Sequence, residues 1–249
     1  MTRSRALITG AGAKDGIGFA CARLLAEAGF AVALSATTDR VLDRANELNA
    51  AGHTASGHIG DLTLTEDVDR LLSELGRVNV LVNNAGMGTR AKPALEKRLT
   101  EIANVEWDHE LAVSLKTAFL VTRAFLPAML SAGYGRIVNV ASVTGPYVSS
   151  PGSSAYSAAK AGMVGLTHAL ALEVASNGVT VNAVAPGWIQ TGASTPSELS
   201  AALNTPCGRA GRPEEVGAAV VFLASPAASY INGAVLVVDG GNILQERKA

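Results

Sequence analysis

The chain has 249 residues, 48 % of them hydrophobic, with a formal net charge of -1 and a pI near 6.4. That length suits one large α/β domain with an ample core, and scattered Lys and Arg residues leave no basic stripe for nucleic acid or an anionic membrane. Cys21 and Cys207 stand apart without metal-ligand spacing, no stretch approaches about 18 uninterrupted apolar residues, and "MTRSRALITG" lacks a secretory pattern, so the expectation is a cytoplasmic protein acting on small molecules without a metal.

In chain order, short apolar runs at 6–9, 31–36, 54–59, 78–83, 135–142, 179–186 and 234–239 read as seven strands. Several are apolar on both faces, as strands buried in a parallel sheet are. Helical patterns at 17–28, about 40–50, 65–75, 105–131, 154–176 and 213–224 alternate with them, and Gly29 and Asn177-Gly178 supply stop signals. This alternation predicts a doubly wound Rossmann fold over residues 1–249 as a single α/β domain: a seven-stranded parallel sheet with helices on both faces. Ligands of such sheets bind beyond the carboxyl ends of the strands, so the loops there carry the functional question.

The first of those loops reads "TGAGAKDGIG" (9–18), with Gly10, Gly16 and Gly18 before a helix that starts near Ile17. Glycines let a backbone approach a pyrophosphate, and the helix start offers free N–H groups and its positive dipole end. An ordinary Gly-rich turn is the alternative, and two glycines here are farther apart than the usual dinucleotide fingerprint has them. The second strand ends "LSATTDR", with Ala36 where a ribose-binding carboxylate would stand for NAD; Asp39 reads as the N-cap of the next helix. Thr37, Thr38, Arg40 and Lys14 are donors for a 2′-phosphate, so NADP is favoured over NAD.

Farther along, "NNAG" (83–86) ends the fourth strand, Ser142 in "NVASVTG" the fifth, and "PGW" (186–188) follows the sixth. In "YSAAK" (156–160), Tyr156 and Lys160 lie one helical turn apart, where an ammonium would lower a tyrosine pKa and ready the phenol for proton exchange. The spacing alone is common. What gives it weight is convergence: Ser142, whose hydroxyl can polarise a carbonyl, falls at the same sheet edge.

Together with Asp61, "PGWIQT", "GRPEEVGAAVVFLAS" and "INGAVLVVDGG", these motifs resemble the short-chain dehydrogenases/reductases of about 250 residues over nearly the whole chain. Among them the chain is most similar to 3-oxoacyl-[acyl-carrier-protein] reductases and related carbonyl reductases. The resemblance implies an NAD(P)-dependent carbonyl or alcohol oxidoreductase in which Tyr156 is the acid or base, Lys160 holds the nicotinamide ribose and lowers the Tyr156 pKa, and Ser142 binds the carbonyl. It further implies Gly10, Gly16, Ile17 and Gly18 around the pyrophosphate, Asp61 and Leu62 at adenine, Asn84 on the adenosine side, and Ile189 and Thr191 at the carboxamide. A homotetramer packed through the helices at 105–131 and 154–176, and a mobile substrate-covering segment at about 192–208, are implied as well. The rival reading is a dinucleotide-binding regulatory or interaction protein without chemistry.

The chain departs from that family in three places. The glycine loop has two extra residues, which leaves open whether Lys14 reaches the 2′-phosphate. Ser114 in "VSLK" stands where an asparagine usually holds a proton-relay water, and it is expected to keep a weakened relay. The loops at 86–107 and 142–156 are longer, which bears on substrate choice. Of the remaining candidates, the four histidines read as solvated or locally hydrogen-bonded, Trp107 and Phe119 as packing residues, and Asp239 as the closure of the last turn.

Overall fold

The seven apolar runs pair into one sheet in the computed structural model, which describes residues 4–86 and 95–246. The strands are β1 (Arg5–Thr9), β2 (Ala31–Ala36), β3 (Ala55–Ile59), β4 (Val80–Asn83), β5 (Gly135–Val140), β6 (Val179–Pro186) and β7 (Val235–Val238). All pair in parallel, in the order β3-β2-β1-β4-β5-β6-β7. The order reverses between β1 and β4, and a crevice opens beyond the carboxyl ends at such a reversal.

The α-helices among the described residues are α1 (Ile17–Glu27), α2 (Arg40–Ala50), α3 (Thr65–Leu75), α4 (Asn104–Leu111), α5 (Thr117–Ala132), α6 (Ser154–Val174), α7 (Pro196–Ala202) and α8 (Pro213–Ala224), and they flank the sheet on both faces. Strand residues alternate between two cores, as a pleat of period two requires. Ala6, Ile8, Val80, Val82, Val138 and Val140 face α1, α2 and α8. Leu7, Leu81, Ile137 and Val181 face α3, α5 and α6.

A buried polar chain ties the second layer to the sheet. Asn83 Nδ2 donates to Thr122 Oγ1 (2.9 Å) and Asn139 Oδ1 (2.8 Å), and Asn139 Nδ2 donates to Thr167 Oγ1 (2.8 Å). Amides away from water must be paired in this way, so β4, β5, α5 and α6 are fixed relative to one another at the edge where the site lies.

The structure corrects four details of the sequence reading. The helix expected over 105–131 is three pieces: α4, a π-helical segment at Ala112–Lys116, and α5. The whole stretch Asn104–Ala132 is long and apolar enough to cross a membrane by length and composition, but here its apolar side packs on β4, β5, α3 and α6. The fifth strand ends at Val140, and Asp39 sits at the N-cap position of α2 without a side-chain cap, its backbone being already helical. Phe119 is exposed, stacked under the Arg123 guanidinium at 5.0 Å, rather than packed in the core.

Candidate active site

The glycine loop holds its shape through close backbone approaches. Gly10 has a φ of +68°, and a β-carbon there would lie 2.7 Å from Ala85 Cα. One on Gly18 would lie 2.5 Å from Asn84 Nδ2 and 2.6 Å from the Gly10 carbonyl oxygen. The added residues form a turn closed by the Gly16 N–H on the Ala13 carbonyl (3.2 Å). Helix α1 then starts at Ile17 with Gly16 as its N-cap, no side-chain cap and no acid in its first turn. Its first N–H groups and dipole therefore suit a phosphate, and the loop fits the pyrophosphate of a dinucleotide.

The residues expected around the adenosine half are at the same edge, with several of their polar atoms engaged. Lys14 Nζ lies 3.4 Å from Glu47 Oε1, which Arg44 also holds at 2.9 Å, so the added loop length leans Lys14 toward α2. Thr37 is exposed, and Arg40 Nε donates to Thr38 Oγ1 (3.2 Å). Asp61 Oδ1 accepts from the Thr63 N–H (3.0 Å) and hydroxyl (2.7 Å), while Leu62 is buried in the core. Asn84 Nδ2 donates to the Thr9 (2.9 Å) and Gly10 (3.0 Å) carbonyls, which makes it a brace for the glycine loop. After β6, Ile189 bridges to Gly211, and the Thr191 hydroxyl accepts from the Ala193 N–H (3.2 Å).

The chemical set lies at the β5–α6 corner. Ser142, just past β5, accepts from the Thr144 N–H at 3.0 Å, which leaves its own O–H to donate. Tyr156 and Lys160 stand one turn apart on α6, as their spacing requires. Burial raises the Tyr156 pKa above its usual value, a hydrogen bond with Ser142 acts against this, and the Glu198 and Glu110 carboxylates add to the rise. Lys160, 5 % exposed, donates from Nζ to the Val140 carbonyl (2.9 Å), and burial lowers its pKa from 10.5 to about 8. The expected lowering of Tyr156 by Lys160 is thus corrected: the ammonium is turned to Val140 and lies 5.8 Å from the phenol ring centroid, so burial dominates.

Ser114 sits in the middle of the π segment, fully buried. Thr117 Oγ1 donates to the Ala112 carbonyl at 3.0 Å, a back-bond within the widened turn. Ser114 Oγ and Lys160 Nζ each lie 3.4 Å from the point where a β-carbon on Gly86 would be, so the two flank one small space. One turn before Ser114 is Glu110, which the sequence reading passed over. It is 7 % exposed, and burial raises its pKa. The signal was in the string "HELAVS", where Glu110 precedes Ser114 by four residues.

Two longer loops border this corner. Residues 87–94 of the first lie outside the described residues. Its remainder meets the second through the Lys97 N–H on the Gly152 carbonyl (3.2 Å), and Lys97 pairs with Glu106 of α4. The expected covering segment contains α7, begun by a capping box in which Glu198 N–H donates to Thr195 Oγ1 (3.2 Å) and Thr195 N–H to Glu198 Oε2 (2.7 Å). Gly192 abuts the Asp15 carboxylate of the glycine loop, joining the two sides of the crevice. A cavity of about 420 Å³ lies under α7, lined by Gln190, Leu199, Leu203, Arg209, Ala210 and Arg212.

The other candidates have local explanations. Asp239 accepts from the Gly241 (2.9 Å) and Ile243 (2.8 Å) N–H groups, closing the last turn as read. His58 bonds Ser56 and Glu74, and no group of three or more His, Cys, Asp or Glu that could hold a metal ion occurs among the described residues.

Comparison with known proteins agrees with the fold. Residues 10–242 match the family model described as enoyl-(acyl carrier protein) reductase. The chain is 43 % identical to a cis-4-hydroxycyclohexanecarboxylate dehydrogenase of Sinomonas cyclohexanicum, over 92 % of this chain and 93 % of that protein. It is 41 % identical to a 3-oxoacyl-[acyl-carrier-protein] reductase of Vibrio harveyi, over 95 % and 96 %. A solved structure from Beutenbergia cavernae, described as a candidate NAD(P)-dependent gluconate 5-dehydrogenase with NADP bound at low occupancy, superposes with a TM-score of 0.88 at 40 % identity, covering 97 % of each chain.

Proposed function

The chain belongs to the short-chain dehydrogenase/reductase family and is an NAD(P)-dependent oxidoreductase, and from that premise we propose that it reduces a ketone or 3-oxoacyl-type carbonyl to a secondary alcohol with NADPH. The observation that carries the reading is the gathering of Ser142, just past β5, with Tyr156 and Lys160, one turn apart on α6, at the sheet edge where the glycine loop also lies. When bound, the nicotinamide supplies the hydride.

The side chains do the rest. With Thr144 bonded to its oxygen, Ser142 directs its O–H to the substrate carbonyl and stabilises the charge that grows there. Tyr156 gives its proton to the same oxygen. Its raised pKa keeps the phenol protonated until then, which suits the acid of a reduction. Lys160, positively charged below pH about 8, would hold the nicotinamide ribose beside the tyrosine. Alcohol oxidation uses the same groups, with Tyr156 accepting the proton.

Cofactor choice and assembly belong to the same proposal. Ala36 at the end of β2, the exposed Thr37 and Arg40, and the NADP in the Beutenbergia structure support NADP over NAD. Gly10, Gly16, Ile17 and Gly18 would hold its pyrophosphate, with Lys14 drawn aside to Glu47, Asp61 and Leu62 at adenine, and Ile189 and Thr191 at the carboxamide. Exposed Phe119 on α5 and Leu172 on α6 support a homotetramer packed through those helices. The names of the Sinomonas, Vibrio and Beutenbergia proteins differ in substrate and agree in oxidoreduction, so the test is a panel of ketones, β-ketoesters and secondary alcohols with both nucleotides. NADPH oxidation by a carbonyl supports the reading; tight cofactor binding without turnover across the panel overturns it in favour of a non-catalytic dinucleotide-binding protein.

A further inference from the structure

The segment after β6 carries a carboxylate on the side of α7 that faces the protein. Its start is pinned: Ser194 Oγ donates to the Ile189 carbonyl (3.0 Å) and accepts from the Thr191 N–H (2.9 Å), and Gly192 rests against Asp15 of the glycine loop. Helix α7 therefore leaves from a fixed point at the crevice. On it Glu198 and Ala202 are one turn apart and share a face. Ala202 is fully buried and Glu198 half-buried, whereas Ser197 and Ser200 are exposed, so the Glu198 face is the inward one. The capping box also fixes where the carboxylate sits, with Oε2 accepting from the Thr195 N–H (2.7 Å) and hydroxyl (3.0 Å).

Two carboxylates act on the Tyr156 phenol, Glu198 from α7 and Glu110 from α4. Among the described residues neither is paired with a Lys or Arg, and Glu110, 7 % exposed, leaves Oε2 without any hydrogen-bond partner. The described cations of this corner are engaged elsewhere. Lys160 is turned to the Val140 carbonyl, Lys97 to Glu106 and Arg209 to Glu215, while Arg209 and Arg212 line the cavity on the Leu199–Leu203 side of α7. Burial favours the protonated form of Glu110, which leaves Glu198 as the larger fixed charge. A carbonyl that reaches Ser142 and Tyr156 therefore enters a field of negative sign, and partial burial limits its screening by water and salt. An anionic substrate is repelled there, and a neutral or cationic one is not.

We propose that Glu198 is a specificity-determining residue: its carboxylate, fixed on the inward face of α7, turns away substrates with a free carboxylate near the carbonyl and admits the corresponding esters, thioesters and cationic ketones. Capping alone does not call for the charge, because glutamine closes the same box. Glu198→Gln thus removes the charge and keeps the cap.

This inference deepens the reductase reading and rests on it. The test measures kcat/KM for NADPH oxidation with three ketones of one skeleton: a 3-oxo ethyl ester, the free 3-oxo acid and the 3-oxo choline ester. In the wild type the free acid should be the poorest, by about fivefold or more against the ethyl ester, as one like charge across a half-buried site implies, and the choline ester should equal or exceed the ethyl ester. In Glu198→Gln, with a melting temperature near that of the wild type, the ester-to-acid ratio should shrink about fivefold and the advantage of the choline ester should fall with it. The wild-type rank order decides even if the variant does not fold. A wild type that uses the free acid as readily as the ethyl ester, or a ratio unchanged in Glu198→Gln, overturns the role of Glu198 and leaves the reductase reading intact. A wild type that turns over none of the three overturns that reading and this inference with it.

Discussion

The glycine loop between β1 and α1 and the pocket between α4 and α6 lie at the same sheet edge, but they present polar groups in opposite ways. The loop works with backbone. Its N–H groups are aimed by glycine conformations and braced by Asn84, and its extra length is absorbed in a turn that ends before α1 begins. The pocket works with side chains held out of water, two of which, Ser114 Oγ and Glu110 Oε2, have no partner among the described residues. A backbone cradle tolerates insertion because no side chain in it must keep a position. A side-chain pocket has no such freedom, and single atoms decide its chemistry.

If that contrast is right, deleting one oxygen in the pocket costs far more than deleting a whole side chain at the loop. The largest effect is expected for Tyr156→Phe, which removes the proton donor and should lower kcat about 10³-fold while NADPH binding stays measurable by fluorescence. Ser142→Ala should follow, with kcat down about 10²-fold in the same steady-state assay. A smaller loss, below tenfold, would mean that backbone rather than side chains carries the catalytic side too.

Gly18→Ala probes the other region. The added methyl would meet Asn84 and the Gly10 carbonyl, a backbone atom with nowhere to go. Loss of about 1–3 kcal/mol is expected in denaturant unfolding, with weaker NADPH binding and kcat little changed at saturation. Titration comes next. Because Lys160 has a pKa near 8, reduction should fall about tenfold per pH unit above that point. The sign for stability is opposite. Between about 8 and 10.5 the unfolded chain binds the proton that the folded chain has shed, so this residue's contribution to stability rises with pH while activity declines. Thermal melts and rates measured in the same buffers check both directions. The smallest effect is expected for Lys14→Ala. The residue is 74 % exposed and paired with Glu47, so the NADPH-to-NADH preference should change by well under tenfold.

Most of the fold was legible in the sequence because parallel strands and their covering helices follow from local periodicity. All seven strands were read within two residues of their ends, and the six helical patterns match helices of the structure. The failures are instructive. The π segment at Ala112–Lys116 interrupts a stretch whose hydrophobic pattern runs on unbroken, since a widened turn adds a residue without adding polarity. Helix α7 hides in a small, polar stretch, and only its Thr195-Pro196 start and Glu198 signal it.

The proposed catalytic set could be read for a different reason: Ser142, Tyr156 and Lys160 are placed by strand end and helix spacing, both of which a sequence carries. Partners across space were not. That Asn84 braces the loop, that Lys160 turns to Val140, and that Lys14 leans on Glu47 depend on distances no spacing encodes. Glu110 was missed because an acid on a helix ordinarily faces water, and only tertiary packing reveals that this one does not.

The central claim is that Tyr156 donates the proton in an NADPH-dependent carbonyl reduction, and a single-turnover experiment tests it most directly. Enzyme loaded with NADPH is mixed with an activated ketone or β-ketoester, and loss of nicotinamide absorbance is followed in the wild type and in Tyr156→Phe, each first shown to bind NADPH. Rapid oxidation in the wild type and near-complete loss in the variant is the predicted result. A variant that oxidises bound NADPH as fast as the wild type would contradict the account.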